Sequence, residues 1–322
     1  MDVTRETVSK TIERKIKTKK SKSLIRDIKN GWQLYVIFLL PLLYILVFKY
    51  YPMYGASIAF KDFDPVAGIL GSPWVGMEHI IKFIKSYEFW GVMKNTLLLG
   101  LYEVLAGFPL PIILALSLNY IYKKKFKKAA QMITYAPHFI SVVVMVGIIF
   151  IILDPMGPLN DLISLFGFSP INFMGESELF MSIYVWSGIW QNVGFGCIIF
   201  LAALAGVSPA LHEAAIIDGA SILRRIWHID IPCIAPTIVV LLILNMGNFL
   251  DTGFEKVLLM QNPLNLSASE IIDTYVYKVG LTSPIPQYSY AAAIGLFKSI
   301  IGLILIVGAN RMAKKVGQEG LW

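Results

Sequence analysis

The most informative stretch of the chain is residues 206–236, GVSPALHEAAIIDGASILRRIWHIDIPCIAP. Ser208 followed by Pro209 predicts a helix start, with the hydroxyl as N-cap and the proline at a position where its missing N–H costs nothing. Gly219 predicts a chain reversal, because glycine adopts backbone conformations that a Cβ resists. A second, amphipathic helix then runs to Pro232. The stretch therefore predicts a helix, a turn and a helix.

The first of these helices would carry a small apolar face. Leu211, Ala214 and Ala215 lie three to four residues apart and therefore share one side of the helix. The alanines would let another surface approach closely, while Glu213 and Asp218 project elsewhere. The residues alone leave two interpretations open: a docking knob for a soluble partner, or an interfacial loop that the basic and aromatic residues of the second helix anchor to lipid headgroups.

Long apolar runs on both sides of this stretch indicate a membrane protein. About 20 apolar residues are needed for a helix to cross a hydrocarbon core of about 30 Å. Six runs meet this requirement, at about 32–50, 94–121, 131–153, 181–204, 231–250 and 290–310. The sequence therefore predicts an all-α, polytopic membrane protein with six transmembrane helices.

The composition excludes an ordinary soluble enzyme. Of the 322 residues, 56% are hydrophobic and 15% are charged, whereas about 25% are charged in a typical soluble domain. The net charge of +7 does not indicate a nucleic-acid partner, because ten basic residues lie within the first 29 positions and the others cluster beside apolar runs. Cys197 and Cys233 lie inside apolar runs without metal-site or disulfide spacing, so both are predicted to be buried, inert thiols and no metal site is expected.

The distribution of basic residues predicts the topology. The segments that include both termini carry twenty Lys and Arg residues, and the alternate loops carry five, so both termini should be cytoplasmic. The chain is predicted to begin with a basic cytoplasmic tail (1–31), followed by a first transmembrane helix and an extracytoplasmic loop (32–91). A core of five helices (92–310) contains a cytoplasmic loop at 205–232, and a second cytoplasmic tail (311–322) follows it. The first tail is expected to be solvated, to lie on membrane lipid, or to contact a partner protein.

The stretch resembles the EAA loop of binding-protein-dependent ABC importer permeases. That pattern is EAA, three residues, glycine, nine residues and I-x-L-P. Here residues 213–215 are followed by Gly219 and then by Ile229, and Ile231 replaces the leucine before Pro232. By this resemblance, Glu213, Ala214, Ala215, Asp218 and Gly219 are the predicted contacts with an ATPase subunit.

The resemblance extends over roughly residues 32–315, to the branch that includes permeases for alginate and other complex oligosaccharides. It is carried by segments such as NTLLLGLYEVLAGFPLPIILAL (95–116), TYAPHFISVV (134–143) and QYSYAAAIGLFKSIIGLILIVGAN (287–310). It implies a type I importer permease fold in the cytoplasmic membrane of a bacterium, with a first helix that packs against a partner permease. It also implies a heterodimer of two homologous permeases, two ATP-binding subunits, an extracytoplasmic solute-binding protein and an oligosaccharide substrate.

The chain itself carries no phosphate-binding loop. The pattern G-x-x-x-x-G-K-[ST] is absent, and glycine is never followed by lysine. No cofactor is therefore expected on this chain, and ATP and magnesium should belong to the partner ATPase subunits.

Polar residues within the spans are the candidates for a substrate pathway, because an ionisable or amide group in lipid usually faces a cavity or another helix. Aromatic faces beside amides would suit sugar rings and hydroxyls. The alternative is that the amides are interhelical contacts. Lys298 would neutralise an anionic solute, pair with Glu103 or snorkel to an interface. The predicted pathway residues are Tyr184, Trp186, Trp190, Gln191, Asn192, Asn245, Asn248, Asp251 and Lys298.

The residues argue against two other functions and leave a third open. A membrane enzyme would need a catalytic cluster, and the four histidines are scattered without an HExxH pair. An ion-coupled secondary transporter would be expected to hold more charge in its spans than this chain does. An ABC permease for a non-sugar solute remains an alternative, since the oligosaccharide prediction depends on the resemblance and on the fourth-span side chains.

Overall fold

The structure is a computed structural model that describes residues 30–251 and 253–315. It contains six helices long and apolar enough to cross a membrane: Trp32–Phe60, Glu88–Asn119, Val142–Leu165, Ser177–Ala205, Ile222–Gly247 and Tyr288–Lys315. These are called the first to sixth spans. They confirm the predicted six-helix, all-α architecture. Most of the two predicted tails, residues 1–29 and 316–322, lies outside the described residues.

Shorter helices connect the spans. Their bounds are Gly68–Gly71, Glu78–Lys85, Lys124–Tyr135, Pro209–Ile217, Phe254–Met260, Leu266–Ser269 and Ile272–Tyr277. The short helix Pro158–Leu165 is the last part of the third span and follows a turn after Leu153. The β-structure in the described residues is a single bridge between Lys61 and Trp74.

The chain divides after Ser57 into two compact units. The described part of the first unit, residues 30–57, contains most of the first span, and none of these residues is buried. The second unit contains the other five spans. Its core has three main parts, built around Leu99, Phe180 and Ile271, around Phe83, Tyr290 and Ile294, and around Ala115, Phe200 and Ile234.

Prolines shape the spans in a consistent way. Three of the four π-helical turns in the described residues lie inside spans and end two residues before a proline, Pro52, Pro109 or Pro232. The fourth, Lys278–Thr282, lies between the fifth and sixth spans, and there the helix stops two residues before Pro284. A proline lacks the N–H that would bond four residues back, so within the spans the helix widens to five-residue bonds. In two cases the residue before the proline donates to the carbonyl five positions earlier, Tyr51 to Leu46 and Ile231 to Ile226.

This widening corrects one prediction. The second helix of the 206–236 stretch was predicted to stop before Pro232, with the fifth span beginning at 231. Instead the helix is continuous from Ile222 to Gly247, because the π turn Ile226–Asp230 absorbs the proline.

The third apolar run, predicted at 131–153, is interrupted. A helix over Lys124–Tyr135 is followed by a 3-10 turn at Ala136–Phe139, and a new helix begins at Val142 with Ser141 as its N-cap. Pro137 lies in the 3-10 turn.

Of the two cysteines, Cys197 is buried as predicted, but Cys233 is exposed on its helix surface, so the prediction for Cys233 was wrong.

The segment between the fifth and sixth spans is fixed by buried amides. Asn265 is fully buried, and its amide nitrogen donates to the carbonyls of Met174 (2.9 Å) and Met260 (3.1 Å). Its oxygen accepts from the Ser269 hydroxyl and from the Asn262 backbone, each at 3.0 Å. A single side chain therefore ties this segment to the loop before the fourth span.

We expect Asn265→Ala to destabilise the protein. The substitution leaves several buried donors and acceptors unpaired, and each such group costs about 1–3 kcal/mol. The thermal-denaturation midpoint in detergent should therefore fall clearly. Asn172→Ala is the matched control, because Asn172 is exposed and, among the described residues, its side chain bonds only within its own turn, where it accepts from the Gly175 N–H. Equal midpoints for the two variants would contradict the assigned role of Asn265.

Candidate functional site: the EAA helix and the membrane cavities

The EAA helix, Pro209–Ile217, stands on the protein surface. Ser208 is its N-cap residue and Pro209 its first helical residue, as predicted, but the serine hydroxyl makes no capping hydrogen bond, which corrects that part of the prediction. None of the residues of the helix is buried. Glu213, Ala214 and Asp218 are exposed and Ala215 is half-buried. The predicted contact residues are therefore accessible to a partner.

Gly219 closes the helix in the predicted way. Its φ of +72° lies in the left-handed region, which an L-residue with a Cβ rarely adopts. The N–H of Gly219 bonds to the carbonyl of Ile216 (3.0 Å), and the N–H of Ala220 bonds to that of Ala215 (2.8 Å). This pair of bonds is the Schellman motif. The glycine thus fixes the direction in which the chain leaves the EAA helix.

A cavity of about 370 Å³, the central cavity, lies between the second, fourth and fifth spans. Small residues keep it open: Gly100, Gly107, Gly188 and Gly196 are among its lining residues. At Gly100 the packing is close as well, because an added Cβ would lie 2.4 Å from the Phe249 carbonyl oxygen.

Polar groups enter the central cavity from all three spans. Four of the predicted pathway residues line it: Asn192, Asn245, Asn248 and Asp251. Glu103 lines it as well. Amides and carboxylates bond readily to hydroxyl groups, whereas the rest of the wall is mostly aliphatic and aromatic. This composition suits a ligand that has both hydroxyl groups and apolar faces and that is small enough for a cavity of this volume.

Other predicted pathway residues lie elsewhere. Tyr184 and Gln191 are buried in the core. The Gln191 amide donates to the Ile140 carbonyl at 2.8 Å, in the break of the third apolar run. Trp186 and Trp190 are exposed on the fourth span, and the Trp186 ring N–H donates to the Tyr102 hydroxyl (2.9 Å). None of these four residues belongs to the lining of the central cavity.

Lys298 forms an ion cluster with two aspartates. Its ammonium group contacts both carboxylate oxygens of Asp273, at 2.7 and 2.8 Å, and one of Asp251. Of the possibilities weighed for Lys298, pairing is therefore what the structure shows, with these aspartates as partners and not Glu103. The cluster lines a second cavity of about 510 Å³ with Phe254, Tyr277 and Tyr288 on its wall. Asp251 lines both cavities.

His138 lies in the break of the third apolar run and contacts a residue that lines the central cavity. Its imidazole stacks on the Phe195 ring with centroids 4.0 Å apart, and its Nδ1 lies 2.9 Å from the Asn192 side-chain oxygen. The Asn192 amide nitrogen donates to the Gly188 carbonyl (3.0 Å). The structure thus places His138 against a cavity-lining amide.

Sequence reasoning missed Lys256. It lies between the fifth and sixth spans, is buried, and donates to the Tyr184 carbonyl at 2.8 Å with its ammonium group 4.5 Å from the Tyr184 ring centroid. Burial lowers the pKa of Lys256 to about 8, and the charge of Glu103 partly offsets that effect. The sequence holds no clear signal for this position, because a lysine in a loop normally faces water.

Comparison with known proteins places most of the chain in one family. Residues 107–318 match the family described as binding-protein-dependent transport system inner membrane component. Protein LplB of Bacillus subtilis (strain 168) is 45% identical over 319 residues, covering 98% of this chain and 100% of LplB. The polygalacturonan/rhamnogalacturonan transport system permease protein YteP of the same organism is 46% identical over 307 residues, covering 95% of each chain.

Two solved structures of an ABC transporter also contain chains similar to this one. A chain in the crystal structure of a bacterial ABC transporter involved in the import of the acidic polysaccharide alginate matches with a TM-score of 0.84 and 38% identity. The match covers 91% of this chain and 99% of that one. A second match, at 37% identity and the same TM-score, is to the alginate transporter in complex with an alginate pentasaccharide-bound periplasmic protein.

Proposed function

The chain belongs to the family of binding-protein-dependent transport system inner membrane components, and from this premise we propose that it is the permease subunit of an ATP-driven oligosaccharide importer in the bacterial cytoplasmic membrane. Its fold is that of the type I ABC importer permeases, as predicted. The observation that carries the proposal is the 38% identity to a chain of the alginate transporter over 91% of this chain.

The substrate class is supported by the relatives and by the central cavity. YteP is named for polygalacturonan and rhamnogalacturonan transport, and the matching crystal structure is of an alginate importer. The cavity places three amides, those of Asn192, Asn245 and Asn248, and two carboxylic side chains, Glu103 and Asp251, on a wall that is otherwise apolar. Amides donate and accept hydrogen bonds, so they fit sugar hydroxyls without requiring a charged solute. Sugar would pass through this cavity as the spans open alternately to the two sides.

The power source would be a separate ATPase. The EAA helix is exposed, carries Glu213 and Ala214 on its surface and ends in a fixed turn at Gly219. In the proposed assembly this helix fits a cleft on an ATP-binding subunit, with Ala215 at the contact and Asp218 near its end. Closure of the ATPase pair then moves the spans. ATP and magnesium are bound by the partners and not by this chain.

Four kinds of partner follow from this assignment. They are a second, homologous permease, two ATP-binding subunits, an extracytoplasmic solute-binding protein and the surrounding lipid. The second crystal structure, in which an alginate transporter is bound to a periplasmic protein, supports the last protein partner by analogy. No nucleic acid is expected.

Affinity purification from the native membrane in mild detergent tests the proposal. A second permease and an ATPase should co-purify and be identified by mass spectrometry. Glu213→Arg should lose the ATPase, because the substitution reverses a charge on the docking surface. Asp161→Arg is the matched control, since it reverses an exposed charge on a different short helix, Pro158–Leu165.

The purified complex also tests the substrate class. Its ATP hydrolysis should be stimulated, in the presence of the solute-binding protein, by oligosaccharides from a panel of oligogalacturonides, alginate oligosaccharides and neutral arabino-oligosaccharides. Stimulation by peptides or amino acids instead would redirect the assignment to a non-sugar importer. A chain that purified alone and moved solute in vesicles without ATP would contradict the importer assignment.

A further inference from the structure

A polar cluster with two buried and two half-buried members lies beneath the EAA helix. Its four members are Tyr120, just after the second span, His212 of the EAA helix, and Arg225 and Asp230 near the start of the fifth span. The four residues come from three separate parts of the sequence. Arg225 and Asp230 occupy positions that the EAA pattern leaves unspecified, Tyr120 and His212 lie outside the pattern, and none of the four is a predicted pathway residue.

Asp230 is the centre of this cluster. Its side chain is completely buried. One carboxylate oxygen accepts a hydrogen bond from the Tyr120 hydroxyl at 2.6 Å, and the other lies 3.3 Å from the Nε2 atom of His212. A short bond from a phenol to a carboxylate is a strong, charge-assisted one. Burial, and then the bond to Asp230, raise the pKa of Tyr120, which further favours the protonated phenol that donates this bond.

Arg225 provides the positive charge nearby. It is 8% exposed, and its guanidinium carbon lies 5.3 Å from the centroid of the Tyr120 ring. The Tyr120 ring also meets the His212 ring edge-on, with centroids 6.3 Å apart. Tyr120 therefore contacts both the EAA helix and the start of the fifth span.

His212 has a special place in the EAA helix. No other side chain of Pro209–Ile217 makes a hydrogen bond or ion pair with another element in the described part of the chain. The helix buries none of its residues. Few apolar contacts therefore join it to the rest of the protein. The polar route from the EAA helix into the protein therefore runs through His212 to Asp230.

The cluster is poorly suited to stability alone. A buried carboxylate costs several kcal/mol of desolvation unless its partners are well placed. Here the Asp230 oxygen that faces His212 and the Nε atom of Arg225 both lack a hydrogen bond of good geometry within the described residues. Apolar side chains would fill this volume at lower cost. An incompletely satisfied cluster that joins the EAA helix to two spans indicates a role in their relative position.

We propose that Asp230 is a positioning residue that transmits movement of the EAA helix to the second and fifth spans, through Tyr120 and His212. The inference rests on the proposed function, since it assigns a mechanical role in the same importer. Both of these spans line the central cavity. A shift of the EAA helix would thus reach the cavity wall through one buried carboxylate.

The test compares hydroxyl and carboxylate variants in the reconstituted importer. Tyr120→Phe removes only the donor to Asp230, Asp230→Asn removes the charge, and Asp230→Glu restores it. Tyr122→Phe is the matched control, because Tyr122 is two residues away and 83% exposed. Each complex is assayed for co-purification of the ATPase, for ATP hydrolysis, and for uptake of the panel oligosaccharide that stimulates the wild-type complex most.

We expect the Tyr120→Phe and Asp230→Asn complexes to assemble and to hydrolyse ATP. The oligosaccharide imported per ATP should fall about three- to tenfold, in line with the usual size of coupling effects. Asp230→Glu should recover part of this ratio, and Tyr122→Phe should match the wild type. An unchanged ratio in both Tyr120→Phe and Asp230→Asn would overturn the proposal. So would a parallel loss of assembly in both, because that would show a structural role only.

Failure of the proposed function is distinguishable in the same experiment. It would appear in the wild-type complex, as uptake without ATP or as purification without an ATPase. Failure of the positioning role would appear only in the variants, against a wild-type complex that imports oligosaccharide at the expense of ATP.

Discussion

Gly219→Val is expected to abolish transport while the chain still inserts in the membrane. The left-handed conformation at φ +72° costs an ordinary residue about 1–2 kcal/mol, and it is especially unfavourable for a β-branched one. The Schellman bonds from Gly219 and Ala220 would then break, and the chain would leave the EAA helix in another direction. Co-purification of the ATPase and ATP-dependent uptake should both be lost.

Two controls separate the backbone effect from other causes. No atom lies within 4 Å of a Cβ built at Gly219, so the valine would not clash within this chain. Gly219→Asn should retain much of the activity, because asparagine tolerates the left-handed region. Gly295→Ala should insert and transport normally, since it adds a methyl group in open space on a regular helix. Normal uptake by the valine variant would show that this turn is not needed for coupling.

Asn248→Leu is expected to lower oligosaccharide transport by about tenfold or more, the factor that corresponds to the loss of roughly 1.4 kcal/mol of transition-state stabilisation. Asn248 is exposed and lines the central cavity, and its side chain makes no hydrogen bond within the described residues. Its amide is therefore available to a solute. Leucine has a similar volume but offers no hydrogen bond, so initial uptake rates in proteoliposomes should fall without a drop in the thermal-denaturation midpoint.

Gln191→Leu, in contrast, should lower the stability of the protein. Gln191 is buried and donates to the Ile140 carbonyl at 2.8 Å. Its loss would leave that carbonyl unpaired, at a cost of about 1–3 kcal/mol. The denaturation midpoint should fall. If Asn248→Leu lowered the midpoint and spared transport, Asn248 would be an interhelical contact and not part of the pathway.

The sequence was sufficient for features that depend on local chemistry. Six apolar runs predicted six spans, because the length and polarity of a membrane helix are fixed by the bilayer. Gly219 predicted the chain reversal, and the EAA pattern around it carried the resemblance to the family that the comparisons show. Each of these inferences uses residues close together in the chain.

Helix boundaries were predicted less well where prolines lie in the spans. The fifth span begins nine residues before its predicted start, because a π turn lets the helix continue through Pro232. The third apolar run breaks near Pro137 instead. A proline alone does not reveal which of these outcomes will occur, since both relieve the same missing hydrogen bond.

The site residues that were missed are long-range partners. Asp273 pairs with Lys298 across 25 residues of sequence, and Tyr120 bonds to Asp230 across 110. Nothing in one sequence marks such pairs, because tertiary packing brings them together. For the same reason the fourth-span amides were predicted as one group, although Asn192 faces the cavity and Gln191 faces the core.

Uptake into proteoliposomes is the most direct test of the central claim. The complex purified through this chain would be reconstituted with its solute-binding protein and given a labelled oligosaccharide from the panel, with ATP or without it on the ATPase side. We predict accumulation that requires both ATP and the binding protein and that disappears with Gly219→Val. Equal accumulation without ATP, driven by an ion gradient, would contradict the importer assignment and identify a secondary transporter.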